Sequence, residues 1–341
     1  MAGGVGSRFW PLSRAHRPKQ FLDILGTGKS FIRSTFERFL PLVPPENFVV
    51  VTNANYKGLV MQQLPELGEH QVLCEPERHN TAPCIAYAAN HIFAECPDAT
   101  MVVSPADHLV TNEVEFQRVI ERAFNFVDIT PSALMTIGIA PTRPETGYGY
   151  IEARGDKADV MRVDNFKEKP DLETAKRFLA EGTFFWNSGI FVWSVPTIMK
   201  AIRSLLPEVT SVMDDGKDVW GTADEQAFID HNFCRCPSVS IDYGVMEHYH
   251  DRYTIAADFG WSDIGTWGSL YVHSAHDEHG NAVQAGKVEI VDTHNSIVNI
   301  DPSVQAIVQG LDNCLVAFRD GALLVCRIDD EQSITKWVER L

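Results

Sequence analysis

Ala2-Gly3-Gly4-Val5-Gly6-Ser7-Arg8-Phe9-Trp10-Pro11-Leu12-Ser13-Arg14-Ala15-His16-Arg17-Pro18-Lys19-Gln20-Phe21 is the stretch from which the rest of the chain is read. Glycine has no Cβ and accepts positive φ, so Gly3, Gly4 and Gly6 let backbone N–H groups crowd round an anion. Arg8 and Lys19 add two positive charges from the same run. Pro11 and Pro18 reduce the entropy lost when the run orders. Such a loop suits a polyphosphate. Two better-known glycine motifs do not fit it. A dinucleotide-binding fingerprint counted from Gly4 needs a third glycine where Phe9 stands. The P-loop-like Gly26-Thr27-Gly28-Lys29-Ser30 has Asp23 where its leading glycine belongs, which makes Lys29 a turn lysine.

Length and composition bound the answer. The 341 residues exceed one typical domain, so a large domain with a small one is expected, and 45% hydrophobic residues suffice for a substantial core. A net charge of −17 argues against nucleic-acid partners, which need a basic face. No run approaches the roughly 18 apolar residues of a membrane span, and the chain runs straight into the glycine loop, leaving no room for a signal peptide. Seven cysteines without a paired Cys-x-x-Cys frame point to reduced thiols in a cytoplasmic protein. Cys234 and Cys236 near His231, and His273, His276 and His279, match no four-ligand zinc frame and are read as structural or surface residues.

Short apolar runs alternate with helical patterns through the first 270 or so residues. Phe48–Thr52, Met101–Ser104 and Leu134–Ile139 read as strands, with helices around 30–40, 55–64, 81–95 and 113–127. This alternation predicts an α/β, Rossmann-like domain over 1–275 with a mainly parallel central sheet and ligands at the strands' C-terminal ends. From about Gly280 the texture becomes short β runs at Lys287–Val291, Ser296–Ile300, Val304–Val308, Cys314–Arg319 and Ala322–Arg327, with a final helix near Asp330. A small β-rich C-terminal domain over 280–341 is expected.

Further segments carry chemistry. Glu75-Pro76-Glu77-Arg78-His79-Asn80-Thr81-Ala82-Pro83 lies between a strand and a helix, with Asn80 or Thr81 suited to the N-cap and Pro83 to the first turn. Ser104-Pro105-Ala106-Asp107-His108 puts an acid at a strand's C-terminal end, where a hard cation could be held near phosphates, and Trp261-Ser262-Asp263 offers a second acid. Gly147 and Gly149, in Pro144–Ile151, allow a sugar to approach the backbone. Phe166-Lys167-Glu168-Lys169-Pro170-Asp171 sets an acid beside a base, on opposite faces if extended. Phe185-Trp186-Asn187-Ser188-Gly189-Ile190-Phe191 places one amide among apolar groups. Ser240-Ile241-Asp242-Tyr243-Gly244-Val245-Met246-Glu247 completes the series. Each segment alone also reads as a capped helix, a turn or a solvated charge run.

In this order they resemble the sugar-1-phosphate nucleotidylyltransferases. The Pro-Leu-Ser-Arg…Pro-Lys-Gln-Phe form of the opening loop looks like the mannose-1-phosphate guanylyltransferase branch. The resemblance covers essentially the whole chain. It departs from the family where Gly244 replaces alanine and His79 replaces arginine. It implies GTP and α-D-mannose 1-phosphate as ligands, Mg²⁺ or Mn²⁺ as cofactor, and a left-handed β-helix-like C-terminal turn. Arg8, Lys19, Ala2, Gly3, Gly4, Gly6 and Ser7 would then hold the triphosphate, and Asp107 with Asp263 the metal. Glu75, Asn80, Thr81, Ala82 and Pro105 would surround the nucleotide, with Glu75 or a backbone carbonyl accepting from guanine. Gly147, Glu168, Asn187 and Trp261 would contact the sugar, and Lys169 its phosphate. The family's loop follows a buried strand, so apolar residues upstream of Met1 are expected. Longer relatives add a phosphomannose isomerase domain that this chain stops short of, so one activity is expected. No nucleic acid or membrane is implied, and a homodimer is compatible. Two alternatives stay open, namely another nucleotide or sugar for the same chemistry, and a silent nucleotide-sugar sensor.

Overall fold

The computed structural model describes residues 1–4, 6–156, 159–167 and 169–341. They form two compact units, one of Met1–Gly3, Arg38–Pro105 and Val110–Trp261, the other of Gly4–Glu37, Ala106–Leu109 and Ser262–Leu341. Helices α1 (Phe31–Phe39), α2 (Lys57–Gln63), α3 (Thr81–Glu95) and α4 (Glu113–Ile129) fall where the periodicity predicts them.

In the larger unit β1 (Val50–Asn53) and β2 (Val72–Glu75) pair parallel. Beyond β3 (Thr100–Val103) and the short β4 (Leu109–Val110) come β5 (Leu134–Ile139), β6 (Tyr150–Ala153), β7 (Val160–Lys167), β8 (Phe184–Ser194) and β9 (Arg252–Ala257). Six of them form one sheet in the order β3-β8-β5-β9-β7-β6. Strands β3, β5, β6 and β9 run one way, as a parallel sheet requires, while β7 and β8 run the other. The mainly parallel sheet expected from the alternation holds for the direction of those four strands, with β7 and β8 set antiparallel among them, so that β5–β9 is the sheet's parallel ladder. The long β8 returns between β3 and β5, and an apolar run carries no mark of its direction.

Alternation along β8 sends neighbours to opposite faces. Trp193 joins a core with Ile85, Ala89 and Ile198 beneath α3 and a helix α6 (Val195–Leu205), which follows α5 (Leu172–Glu181). Val192 joins Phe116, Ile120 and Ile255 beneath α4. Burying each of these large side chains is worth about 1.5–3 kcal/mol. Helices α6 and α4 are capped: Ser194 accepts from the Thr197 N–H and Asn112 from the Glu115 N–H. Helices α7 (Pro207–Asp214) and α8 (Glu225–Asn232) complete that unit.

In the smaller unit, after the short β10 (Trp261–Ser262) and α9 (Trp267–Val272), strands stack in register. β11 (Ala282–Gln284), β13 (Ile297–Ile300) and β15 (Cys314–Arg319) pair parallel, and so do β12 (Lys287–Val291) and β14 (Gln305–Gln309). Corners are turned by Asp292, Asn295 and Asn313 at positive φ, a conformation short polar side chains tolerate. β16 (Ala322–Arg327) closes the stack antiparallel, and α10 (Ile334–Val338) follows. The sequence divides the chain along its length, at 275–280. By contact, Gly4–Glu37 and Ala106–Leu109 group with the C-terminal residues. The reason is a shared core: Phe9, Leu12, Ile24 and Phe31 pack with Trp267, Leu270, Ile297, Leu315 and Ile334.

Candidate active site

In the smaller unit the geometry centres on Lys19. Its side chain is buried, its Nζ donates to Asp107 Oδ2 at 3.2 Å and to the Asp263 carbonyl at 2.5 Å, and it lies 5.0 Å from the Phe31 ring centre. One ammonium thus meets the side-chain carboxylate of Asp107 and the backbone carbonyl of Asp263, two residues far apart in sequence. Burial would raise the Asp107 carboxyl, but Lys19 and the adjacent His108 outweigh it and hold it below the usual carboxylate range. Asp263 Oδ1 accepts from the Gly265 N–H at 3.0 Å, and the fully buried Ile264 between them sits at φ +40°, an uncommon conformation for a β-branched residue. Two carboxylates suit a hard divalent cation that takes its remaining ligands from phosphates and water. Among the described residues no group of three or more His, Cys, Asp or Glu could hold a metal unaided.

The loop glycines divide into two kinds. Gly6 stands at φ +63°, and a Cβ there would lie 2.6 Å from Lys19 Cβ, so this glycine is demanded by close packing of the loop on Lys19. A Cβ on Gly3 or Gly4 would meet nothing within 4 Å. The Ala2 N–H donates to the Val51 carbonyl at 2.8 Å and its carbonyl accepts from Thr52 Oγ1 at 2.9 Å, which ties it to β1. Ser7 Oγ lies 3.2 Å from Thr335 Oγ1, and Arg8 is exposed with no ion pair among the described residues.

In the larger unit Glu75 ends β2. It is 6% exposed, and its Oε1 has no hydrogen-bond partner among the described residues. Burial pushes its carboxyl up to about 7, partly offset by the Cys84 thiol and the Arg78 guanidinium. His79 Nδ1 is likewise buried without a hydrogen-bond partner among the described residues. Asn80 caps α3 by accepting from the Thr81 N–H at 2.9 Å, in a backbone conformation (φ 68°, ψ −167°) that is nearly confined to glycine. Thr81 Oγ1 accepts from the Ile241 N–H at 2.8 Å and Ala82 N donates to the Val239 carbonyl at 3.0 Å, so both are tied to that neighbouring segment. Pro105 follows β3, its carbonyl accepting from Ser104 Oγ at 3.1 Å.

The same unit holds Gly147, Asn187, Trp261 and Lys169 of the residues expected at the sugar. The Asn187 N–H donates to the Gly149 carbonyl at 2.8 Å, which brings β8 to the Gly147 loop. The Gly147 N–H in turn donates to Glu145 Oε1 at 3.0 Å. Trp261 is buried against Tyr148, with ring centres 5.1 Å apart, and Tyr148 meets Trp186 edge-on at 5.3 Å. Lys169 is exposed, at φ +40°. Glu168 lies outside the described residues. The sequence reading gave Asp242 no role, yet its Oδ1 accepts from Asn187 Nδ2 at 2.6 Å. A lone acid between Ile241 and Tyr243 carries no signal of that contact.

The nucleotidyl transferase family model matches residues 1–280. A Klebsiella pneumoniae mannose-1-phosphate guanylyltransferase is 36% identical over 348 residues, covering 100% of this chain and 73% of the relative. An Escherichia coli protein of the same description is 35% identical with the same coverage. A Thermus thermophilus crystal structure described as a mannose-1-phosphate geranyltransferase superposes with a TM-score of 0.89 at 28% identity, covering 100% of this chain and 97% of that one. Nucleotidyl transferases generally use divalent metal ions. A family model across most of the chain and full-length relatives above one-third identity place the protein: it belongs to the nucleotidyl transferase family, in the branch of the mannose-1-phosphate guanylyltransferases.

Proposed function

We propose that this chain catalyses GTP + α-D-mannose 1-phosphate → GDP-mannose + diphosphate. The observation that carries the reading is the buried Lys19, whose ammonium draws the Asp107 carboxylate and the backbone of Asp263 together. A phosphate oxygen of the sugar attacks the α-phosphorus of GTP in line. The bond from that phosphorus to the bridging oxygen breaks, and its electrons leave with diphosphate. The phosphomonoester is already anionic, so no protein nucleophile is needed, and catalysis rests on positioning and charge. Amides of Gly3, Gly4, Gly6 and Ser7, with Arg8 and Lys19, hold the triphosphate. Asp107 and Asp263 would hold Mg²⁺ or Mn²⁺, which when bound neutralises charge on the phosphates.

On the nucleotide side the unpartnered Glu75 Oε1 is suited to accept from guanine, beside a turn shaped by Asn80, Thr81, Ala82 and Pro105. On the sugar side Gly147 admits the ring, Asn187 meets a hydroxyl, Trp261 backs them as an apolar wall, and Lys169 with Glu168 completes the set. We also read residues 1–275 as the catalytic part and the stacked ladders of 280–341 as a left-handed β-helix-like appendage. A cytoplasmic setting fits seven cysteines that are all free.

A diphosphate-release assay over four nucleoside triphosphates and three sugar 1-phosphates tests the reading. GTP with mannose 1-phosphate should exceed other pairs by about 10²-fold or more in kcat/KM, because a wrong base leaves buried polar groups unpaired. Comparable rates with UTP or ATP would overturn the guanylyl assignment.

A further inference from the structure

We propose that Asp242 is a positioning residue, acting on the sugar through Asn187; this rests on the reading of Asn187 as a sugar contact. A carboxamide can turn over and exchange its donor and acceptor ends, so it reads a hydroxyl only if something fixes which end faces it. Here both ends are fixed. Asn187 Nδ2 donates to Asp242 Oδ1 at 2.6 Å. Its Oδ1 accepts from Thr136 Oγ1 at 3.1 Å and from the Gly189 N–H at 3.2 Å. With the oxygen turned to β5 and one N–H spent on Asp242, the amide presents its second N–H, a donor, to whatever lies before it.

Asp242 is itself set in place by the turn at the head of α3. The Val239 N–H donates to the His79 carbonyl at 3.2 Å, the Ala82 N–H to the Val239 carbonyl at 3.0 Å, and the Ile241 N–H to Thr81 Oγ1 at 2.8 Å. Asp242 then opens a turn of π-helix, Asp242–Met246, a form that recurs at functional sites. Ile241, Val245 and Met246 anchor that turn, all fully buried. The Asn187 amide is thus oriented from a segment pinned to the proposed nucleotide turn.

The test uses the full chain and the variants Asp242→Ala, Asp242→Asn, Asn187→Ala and the double Asp242→Ala/Asn187→Ala, each checked for an unchanged melting temperature. Losing a hydrogen bond to a charged group should raise KM for mannose 1-phosphate about tenfold or more in Asp242→Ala, with KM for GTP unchanged. Asp242→Asn should recover most of this, since its carboxamide oxygen accepts the same N–H. In the Asn187→Ala background, Asp242→Ala should add nothing. Multiplying losses, equal impairment of Asp242→Asn and Asp242→Ala, or an effect confined to GTP would overturn the proposal. So would an Asn187→Ala variant with normal KM beside an impaired Asp242→Ala. The side-chain amide NMR signals of Asn187 report without turnover. They should shift in Asp242→Ala and return in Asp242→Asn whatever substrate the enzyme takes, and unmoved signals would overturn the proposal while leaving the proposed function standing.

Discussion

Lys19 is buried against two oxygens of its own unit, whereas Glu75 is buried with a carboxylate oxygen that meets no partner among the described residues. The difference separates two ways of preparing a site. A buried ammonium left alone would be costly, and here Asp107 and the Asp263 carbonyl meet it, so the cluster is arranged before any ligand arrives. Glu75 carries its desolvation cost with less relief, and its carboxyl rises to about 7. A ligand donor would supply what the protein leaves out.

The paired cluster should fail as a unit. Asp107→Asn or Asp263→Asn should give folded protein with turnover lowered by about 10²–10³-fold, and the double variant should be scarcely worse than either single. Turnover measured against Mg²⁺ concentration checks this, and near-normal activity with an unshifted metal requirement removes that residue from the cluster. The loop gives the next effect. In Gly6→Ala the new Cβ meets Lys19 Cβ at 2.6 Å, and misplacing the lysine should lower kcat by about 10²-fold with a loss of about 1–3 kcal/mol in stability. Gly3→Ala and Gly4→Ala, with open space at Cβ, should leave urea unfolding unchanged and raise KM for GTP. If all three glycine variants behave alike, the division of the loop into packed and open glycines is wrong.

Lys169 is an exposed cation, unlike Lys19. Lys169→Ala should raise KM for mannose 1-phosphate by about tenfold to a hundredfold while calorimetry shows GTP binding unchanged. A collapse of GTP affinity would move Lys169 to the nucleotide side. The smallest effect tests Glu75. The folded value of Glu75 lies above its ordinary 4.5, so between pH 4.5 and about 7 the folded protein keeps a proton that the unfolded chain has released. Its contribution is therefore full below pH 4.5 and lost as the pH rises through 7. Glu75→Gln should be more stable than wild type at pH 8, by on the order of 2 kcal/mol, and close to it at pH 4.5. The same variant should discriminate GTP less well. Denaturant unfolding at the two pH values decides it, and an equal difference at both would remove the ionisation argument.

Much of this was legible in the sequence where the physics is local. Leu134–Ile139, Lys287–Val291, Cys314–Arg319 and Ala322–Arg327 are strands over the residues their β runs predict, and of the two caps offered for α3, Asn80 and Thr81, the helix uses Asn80. Asp107 and Asp263 were singled out by the strand end and the turn they occupy. What the sequence withheld depends on distant partners. The reversed β8 inside the sheet, the inclusion of Gly4–Glu37 in the unit of the C-terminal strands, and the bond from Asn187 to Asp242 are set by packing across the fold. Trp261, expected at the sugar, is buried against Tyr148, a neighbour no spacing in the sequence reveals.

The core of the smaller unit has a consequence for the order of synthesis. Phe9, Leu12, Ile24 and Phe31 leave the ribosome ahead of nearly all of the larger unit, yet their packing partners Ile297, Leu315, Leu324 and Ile334 emerge only after it. The loop that presents Lys19 therefore cannot complete its core until the larger unit has been made. Its closure is a long-range event, slow by the loop entropy it must overcome. A nascent chain holding every loop residue and both aspartates would still lack their arrangement until the C-terminal strands emerge. Chemical competence would then arrive late and all at once, at the closing of the protein's own making.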